Sequence, residues 1–354
     1  MRERSAEAGK SFLPWVQALR AFAALAVAFL HIAHDDIANG TDPRGIFKAI
    51  TDFFPWDAGV DIFFVISGFV IVHASARLFA TPGAPWRFLR RRLTRIVPLY
   101  WIMTTAFIAV LLANRAEIHG DIGGPVYLAA SYCFVPWPRP DGVIQPAFGL
   151  GWTLNYEMFF YILFTPFLWF SQRRAAITAG IVLAVLAALG PVLSFSRQLH
   201  FWTDPIILEF VFGMGIALLA ARKISLPAPV RVVLILAAII TFHENAAGHG
   251  IRPLIYGLPA AALVACAVLT TGKAAMGRVE KLLVRLGDAS YAMYLVHPFV
   301  MRGFSALWQK IHAQNEILGT IYVLAGLAAA QILALLISAT LEHQLQRRLR
   351  GIHG

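Results

Sequence analysis

Charge is what this sequence has least of. Only 14% of its 354 residues are Asp, Glu, Lys or Arg, against roughly 25% in a soluble globular domain. Acidic side chains are the scarcest, 19 against 30 Lys and Arg. Cysteine is nearly missing: Cys133 and Cys266 make no disulfide framework and say little about compartment. No period of about 20–50 residues recurs, which excludes a solenoid, and the two halves show no obvious similarity. The first apolar run has no small-x-small cleavage site before Asp35 and holds Arg20. It therefore reads as a retained span and not as a secretory leader.

What fills the chain is apolar: 58% of residues are hydrophobic and the mean hydropathy is +0.67. Such a chain is an all-α polytopic membrane protein with nearly everything in the bilayer. Ten apolar runs stand out, near 15–34, 57–79, 96–114, 150–170, 175–195, 204–221, 229–243, 252–271, 287–308 and 317–341. The fifth carries a Gly190-Pro191 break and the seventh is short. Lys and Arg fall unequally on the alternate loops, twenty-one on one set and seven on the other. The basic side is cytoplasmic by the positive-inside rule. Both termini are then cytoplasmic, in agreement with an even number of spans. The division expected is a tail at 1–14, one membrane domain at 15–341 and a tail at 342–354. A net charge of +11 invites a nucleic-acid reading, but the basic residues sit in loops between apolar runs, so the partner is the lipid surface and no nucleic acid.

Ionisable groups inside spans are costly, and each needs a reason. The stretch Trp15–His34 holds Arg20 and His31. Eleven residues of helix make about three full turns and rise about 16 Å. The two side chains therefore share a face at different depths, Arg20 toward the cytoplasm and His31 toward the outside. Asp57 and Asp61, Glu157 and Glu209 also fall in outer halves of spans. His297 lies near the middle of the ninth, on a polar stripe with Ser290 and Tyr294. A histidine beside a carboxylate suits a general base acting on a hydroxyl. Helix packing equally accounts for Ser67-Gly68, and core packing or interface anchoring for Tyr291 and Tyr294. The outer loop 115–149 holds five prolines with Tyr132 and Trp137. It reads as a cap over an outward cavity or as an ordinary surface loop.

On the inner side, WRFLRRRLTRIVP packs Arg87, Arg90, Arg91, Arg92 and Arg95 just before span three, with Pro98 at its start. One reading is an anchor on anionic lipid. The other is a phosphate site, with Arg92 and Arg95 on one helical face. A cytoplasmic phosphate site and an outward base together suggest a ligand that reaches through the membrane. Coenzyme A is of that type, a polyphosphate head with a long thin arm ending in a thioester.

Five blocks carry a resemblance. They are the Arg20-x10-His31 spacing, FFVISGF at Phe63–Phe69, RRLTRIVPLYW at Arg91–Trp101, GWTLNYEMFFY at Gly151–Tyr161 and SYAMYLVHPF at Ser290–Phe299. In this order they resemble the acyltransferase-3 family of integral membrane acyltransferases. The resemblance implies transfer of an acyl group, commonly acetyl from acetyl-CoA, to an extracytoplasmic carbohydrate such as exopolysaccharide or O-antigen. It implies a multi-pass protein of the bacterial inner membrane. It makes Arg20 and His31 the essential pair and Arg92 and Arg95 the basic motif. It also marks Glu157, and His297 with Ser290 and Tyr291. Asp61 and Glu209 rest on depth alone. Many relatives carry a fused extracytoplasmic hydrolase-like domain, which is not expected here.

The expected enzyme binds the acyl-CoA head at Arg92 and Arg95, with Arg20 deeper in. His31, aided by Glu157, deprotonates a sugar hydroxyl that attacks the thioester. Ser67, Asp61, Glu209, Ser290, Tyr291, Tyr294 and His297 support it, and no metal is expected. No cysteine is well placed for an acyl-enzyme. The rival readings are a secondary transporter or flippase for a glycan or acyl donor, and a non-catalytic assembly subunit.

Overall fold

The computed structural model describes residues 13–40, 42, 44–113, 123–193, 196–270, 277–310, 315–342 and 344–345. Arg115, Lys273 and nearly all of both tails lie outside the described residues. Among the described residues the α-helices in chain order are α1 Pro14–Ala38, α2 Ile46–Phe53, α3 Gly59–Ala74, α4 Ala84–Ala113, α5 Pro125–Tyr132, α6 Trp152–Phe164 and α7 Gln172–Leu189. Then come α8 Arg197–Trp202, α9 Leu208–Ala221, α10 Ala228–Glu244, α11 Leu258–Val268, α12 Arg278–Asp288, α13 Ser290–Trp308 and α14 Glu316–Ile337. The class is all-α. Six helical stretches are long and apolar enough to cross a bilayer: Pro14–Ala38, Trp56–Ala74, Ala84–Ala113, Gln172–Leu189, Arg197–Ala221 and Ile317–Glu342. The other four expected runs fall on helices that are shorter or more polar.

The first helix is the pillar. Pro14 opens it, where a missing N–H is harmless. Its buried residues are mostly alanines, Ala21, Ala23, Ala24, Ala26, Ala28 and Ala33, which let neighbouring backbones come close. Helices α3, α12, α13 and α14 all pack on it. Helices α3 and α9 are in tighter contact still. A Cβ on Gly68 would strike the Phe210 carbonyl, and one on Gly213 the Val65 carbonyl. Around this seam Phe64, Phe69, Tyr156, Phe160 and Phe210 are buried as one aromatic core. Facing outward, Ile177, Ile181 and Val185 of α7 and Val233, Leu236 and Ile240 of α10 are exposed, an apolar surface suited to lipid.

Three local expectations change. The Arg-rich stretch does not precede a span; it forms the first turns of the thirty-residue α4. Pro98 therefore lies inside that helix and not at its start, and the Tyr291 hydroxyl donates to the Ile96 carbonyl in the turn before it (2.7 Å). The Gly190-Pro191 pair ends α7 instead of breaking a longer span, because a residue before proline disfavours helix. In the outer loop, α5 and the chain up to Leu150 are tied onto α4. Tyr100 donates to the Ser131 carbonyl (3.0 Å), Trp101 to the Tyr132 carbonyl (2.9 Å), and the Ala147 amide to the Ser131 hydroxyl (2.9 Å).

Candidate active site

Two cavities lie along α1, one at Arg20 and one at His31, labelled inner and outer for the sides expected of them from the loop charges. The inner one, about 110 Å³, brings together Arg20, Ser67, Arg92, Arg95, Glu157, Ser290, Tyr291 and Tyr294. Five helices supply them, so eight of the twelve residues singled out from sequence meet in one place. Three guanidiniums and one carboxylate line the wall. The Arg92 guanidinium sits over the rings of Phe88 (5.4 Å) and Tyr161 (5.7 Å), held by cation–π attraction. Arg20 donates to Gln17 (3.0 Å), and Gln17 to Asp288 (2.7 Å). Asp288 and Glu342 bear electrostatically on Arg20 without lining the cavity. Glu157 accepts from Ser67 (3.1 Å) and from Tyr161. Of the five arginines in the run, Arg91 is exposed and Arg87 is spent on Thr81 and the Pro82 carbonyl. A wall with this positive excess attracts an anion.

The outer cavity, about 190 Å³, is lined by His31, Phe107, Gln145, Phe148 and Arg302, among others. Gln145 and Phe148 come from the loop segment before α6, which therefore contributes to the lining of the His31 cavity. His31 does not meet Glu157. That pairing is corrected: Glu157 belongs to the inner cavity, and the partner of His31 is His297, with Nδ1 of His31 2.8 Å from Nε2 of His297. The rings are nearly parallel (11°) with centroids 5.1 Å apart, the arrangement of two imidazoles bonded edge to edge. Nδ1 of the fully buried His297 lies 3.1 Å from the Met293 carbonyl. A carbonyl only accepts, so His297 carries its proton on Nδ1 and its Nε2 accepts. His31 must then donate from Nδ1, which leaves its Nε2 lone pair unused and available as a base.

Asp61 and Glu209 do not join either cavity. Arg252 grips Asp61 with two bonds (2.9 and 2.7 Å) and reaches Asp57 (3.3 Å). Glu209 lies against Asp61, and both carboxyl groups are fully buried. This cluster ties α3 and α9 to the segment opening α11. The sequence carries a signal for this pairing, since a buried carboxylate needs a cation, but by position alone Arg252 is one more loop charge. Phe107, Gln145 and Arg302 were not singled out as cavity residues; an arginine inside a span was their one visible sign.

Residues 13–339 match the acyltransferase domain of the acyltransferase-3 family. The chain is 36% identical over 248 residues to the exopolysaccharide production protein ExoZ of Rhizobium meliloti, covering 69% of this chain and 76% of that one. It is 30% identical over 322 residues to the acyltransferase MdmB of Streptomyces mycarofaciens, covering 82% and 79%. To the putative peptidoglycan O-acetyltransferase YrhL of Bacillus subtilis it is 28% identical over 232 residues, 60% of this chain and 34% of that longer one. No solved structure matches. With the match running through nearly every helix that builds the two cavities, this chain belongs to the acyltransferase-3 family of membrane acyltransferases.

Proposed function

We propose that the protein moves an acyl group, acetyl in the simplest case, from cytoplasmic acyl-CoA to a hydroxyl of an extracytoplasmic polysaccharide. The observation that carries this reading is the pair of cavities on one helix, an arginine-lined one at Arg20 and one holding an unoccupied histidine nitrogen at His31, about 16 Å apart along α1. That separation suits a pantetheine arm. The phosphates of the donor lie at Arg92 and Arg95, Arg20 meets the donor deeper in, and the thioester points toward His31. The ten-span arrangement with cytoplasmic termini, tails at 1–14 and 342–354 and one membrane domain between, gives each cavity its side. The bacterial inner membrane is the setting that suits an exopolysaccharide acceptor, and the relative ExoZ favours that acceptor class by its name.

In the transfer step His31 Nε2 takes the proton of the sugar hydroxyl as its oxygen attacks the thioester carbon. The new C–O bond forms and the C–S bond breaks. The proton held by His31 passes to the leaving thiolate, giving the ester and free coenzyme A. His297 holds the His31 ring in the tautomer this requires, as the third group does in nucleophile–base–orienter sites. Glu157 does not act as a base here; bound by Ser67 and Tyr161, it positions the donor cavity.

Purified protein in detergent tests this with labelled acetyl-CoA and an oligosaccharide acceptor. Thiol release coupled to ester formation, lost in His31→Ala and Arg20→Ala at normal expression, is expected. Full ester formation in either variant, or turnover that needs a sealed membrane, refutes it.

A further inference from the structure

The outer cavity contains a cation that the transfer step does not use. Arg302 lines it beside His31, with its guanidinium 4.7 Å from the centre of the Phe107 ring. Phe107 in turn meets Phe148 and Phe299 edge-on, at 5.3 and 6.2 Å. Along α13, Ser290 belongs to the inner cavity, His297 to the His31 pair, and Arg302 lies five residues further, about 7.5 Å beyond His297. Arg302 is thus on the acceptor side of the base and far from the donor arginines. Among the described residues no carboxylate lies within ion-pair distance of it. Gln145 adds a second donor. Its Oε1 accepts from Arg139 (3.0 Å), which orients the amide and leaves its N–H groups for a ligand.

The lining therefore has three chemistries at one place. Phe107 and Phe148, both buried, give the cavity an apolar wall, with Arg302 over the Phe107 ring. The Nε2 of His31 accepts a hydroxyl proton. Arg302 and Gln145 offer only donors, and a guanidinium prefers a planar carboxylate that can take two parallel bonds. Arg302 is exposed, so a ligand carboxylate can reach its guanidinium without displacing a protein counter-charge.

We propose that Arg302, with Gln145, is the subsite for a carboxylate on the acceptor, so that the substrate class is an acidic polysaccharide. This rests on the acyl-transfer reading for the identity of the cavity as the acceptor site. A sugar carboxylate bound at Arg302 fixes which hydroxyl of a neighbouring residue reaches His31, so the subsite also sets the position acylated.

The test uses a matched pair of probes, an oligosaccharide of alternating glucuronic acid and glucose and the same oligosaccharide after reduction of its carboxyl groups to alcohols. Binding is measured on the purified full chain in detergent, and acetyl transfer in parallel. Wild type is expected to bind the acidic form at least about tenfold more tightly, the factor that corresponds to 1.4 kcal/mol. Arg302→Gln levels the two affinities by weakening the acidic one, Arg302→Lys keeps part of the preference, and His31→Ala keeps the preference in binding while losing transfer. Equal affinity in wild type, no binding of either form, or an Arg302→Gln loss that is the same for both overturns the subsite. A binding preference without any acetyl transfer leaves the subsite standing and removes the acyl-transfer reading; transfer without preference does the reverse.

Discussion

Replacing Arg95 with Gln separates grip on a phosphate from every other way of losing activity. The inner cavity is about 110 Å³, well below the roughly 300–1,000 Å³ of sites that enclose a whole small molecule. On the acyl-CoA reading proposed above, it has room for the thin arm, which leaves the nucleotide at the guanidiniums. A hydrogen bond to a charged group is worth about 1.5–3 kcal/mol, so losing Arg95 raises the KM for acetyl-CoA by about 10- to 150-fold. The comparison donor is S-acetyl-pantetheine, which has the arm and the thioester but no phosphate. With it the same substitution changes KM less than about twofold, since the removed contact was never made. The assay is thiol release with acceptor present, on wild type and Arg95→Gln in the same detergent. An equal loss with both donors refutes the reasoning, because it places the effect on the fold or on the acceptor.

Other outcomes follow from single contacts. His297→Phe removes the acceptor for the His31 Nδ1 proton and lowers kcat by at least about tenfold of the roughly 10²–10⁴ a positioned base supplies. His297→Asn, whose amide oxygen can take that proton's hydrogen bond, restores part of it, and a KM change alone in either variant goes against the tautomer assignment. Arg252→Ala leaves Asp61 and Glu209 buried without a cation. It should cost about 3–5 kcal/mol, read as a lowered unfolding midpoint in detergent, and an unchanged midpoint refutes a structural role. Gly68→Val drives a side chain into the Phe210 carbonyl and should cost roughly 3 kcal/mol or more. Gly215→Ala, whose added carbon meets nothing within 4 Å, serves as the tolerated control in the same size-exclusion and melting measurements.

The membrane character and the apolar helices were legible because composition and period are local properties. The members of the inner cavity were legible for a different reason. An ionisable group in a span must have a polar neighbour, so Arg20, Arg92, Arg95 and Glu157 announced themselves one at a time. Which charge meets which was not legible. Glu157 and His31 were placed together by depth, yet depth leaves rotation about the helix axis undetermined. Here α6 turns Glu157 toward Ser67 and Tyr161, while α13 presents His297 to His31. Asp61 failed the same way: one element contributes it and another, 191 residues on, contributes Arg252. Phe107, Phe148 and Gln145 carried no signal, because aromatic and amide side chains are ordinary at a membrane interface.

The linings of the two cavities meet at Tyr294, Thr153 and Leu150. Tyr294 lines the inner cavity and Leu150 the outer one. The Tyr294 hydroxyl lies 3.1 Å from the Leu150 carbonyl and 3.0 Å from the Thr153 hydroxyl. Phe63 packs edge-on against the Tyr294 ring at 6.3 Å, and the contact joins a residue of the arginine-lined cavity to one of the His31 cavity. On the proposed reading, a thioester seated in the inner cavity passes Tyr294 to meet a hydroxyl at His31. The helices themselves need not move, since α1 alone fixes Arg20 and His31 along one rigid axis, and a side-chain rotation at Tyr294 breaks two neutral hydrogen bonds worth about 1 kcal/mol each. On the proposed reading, a donor already held by its phosphates and arm can displace a contact of that strength.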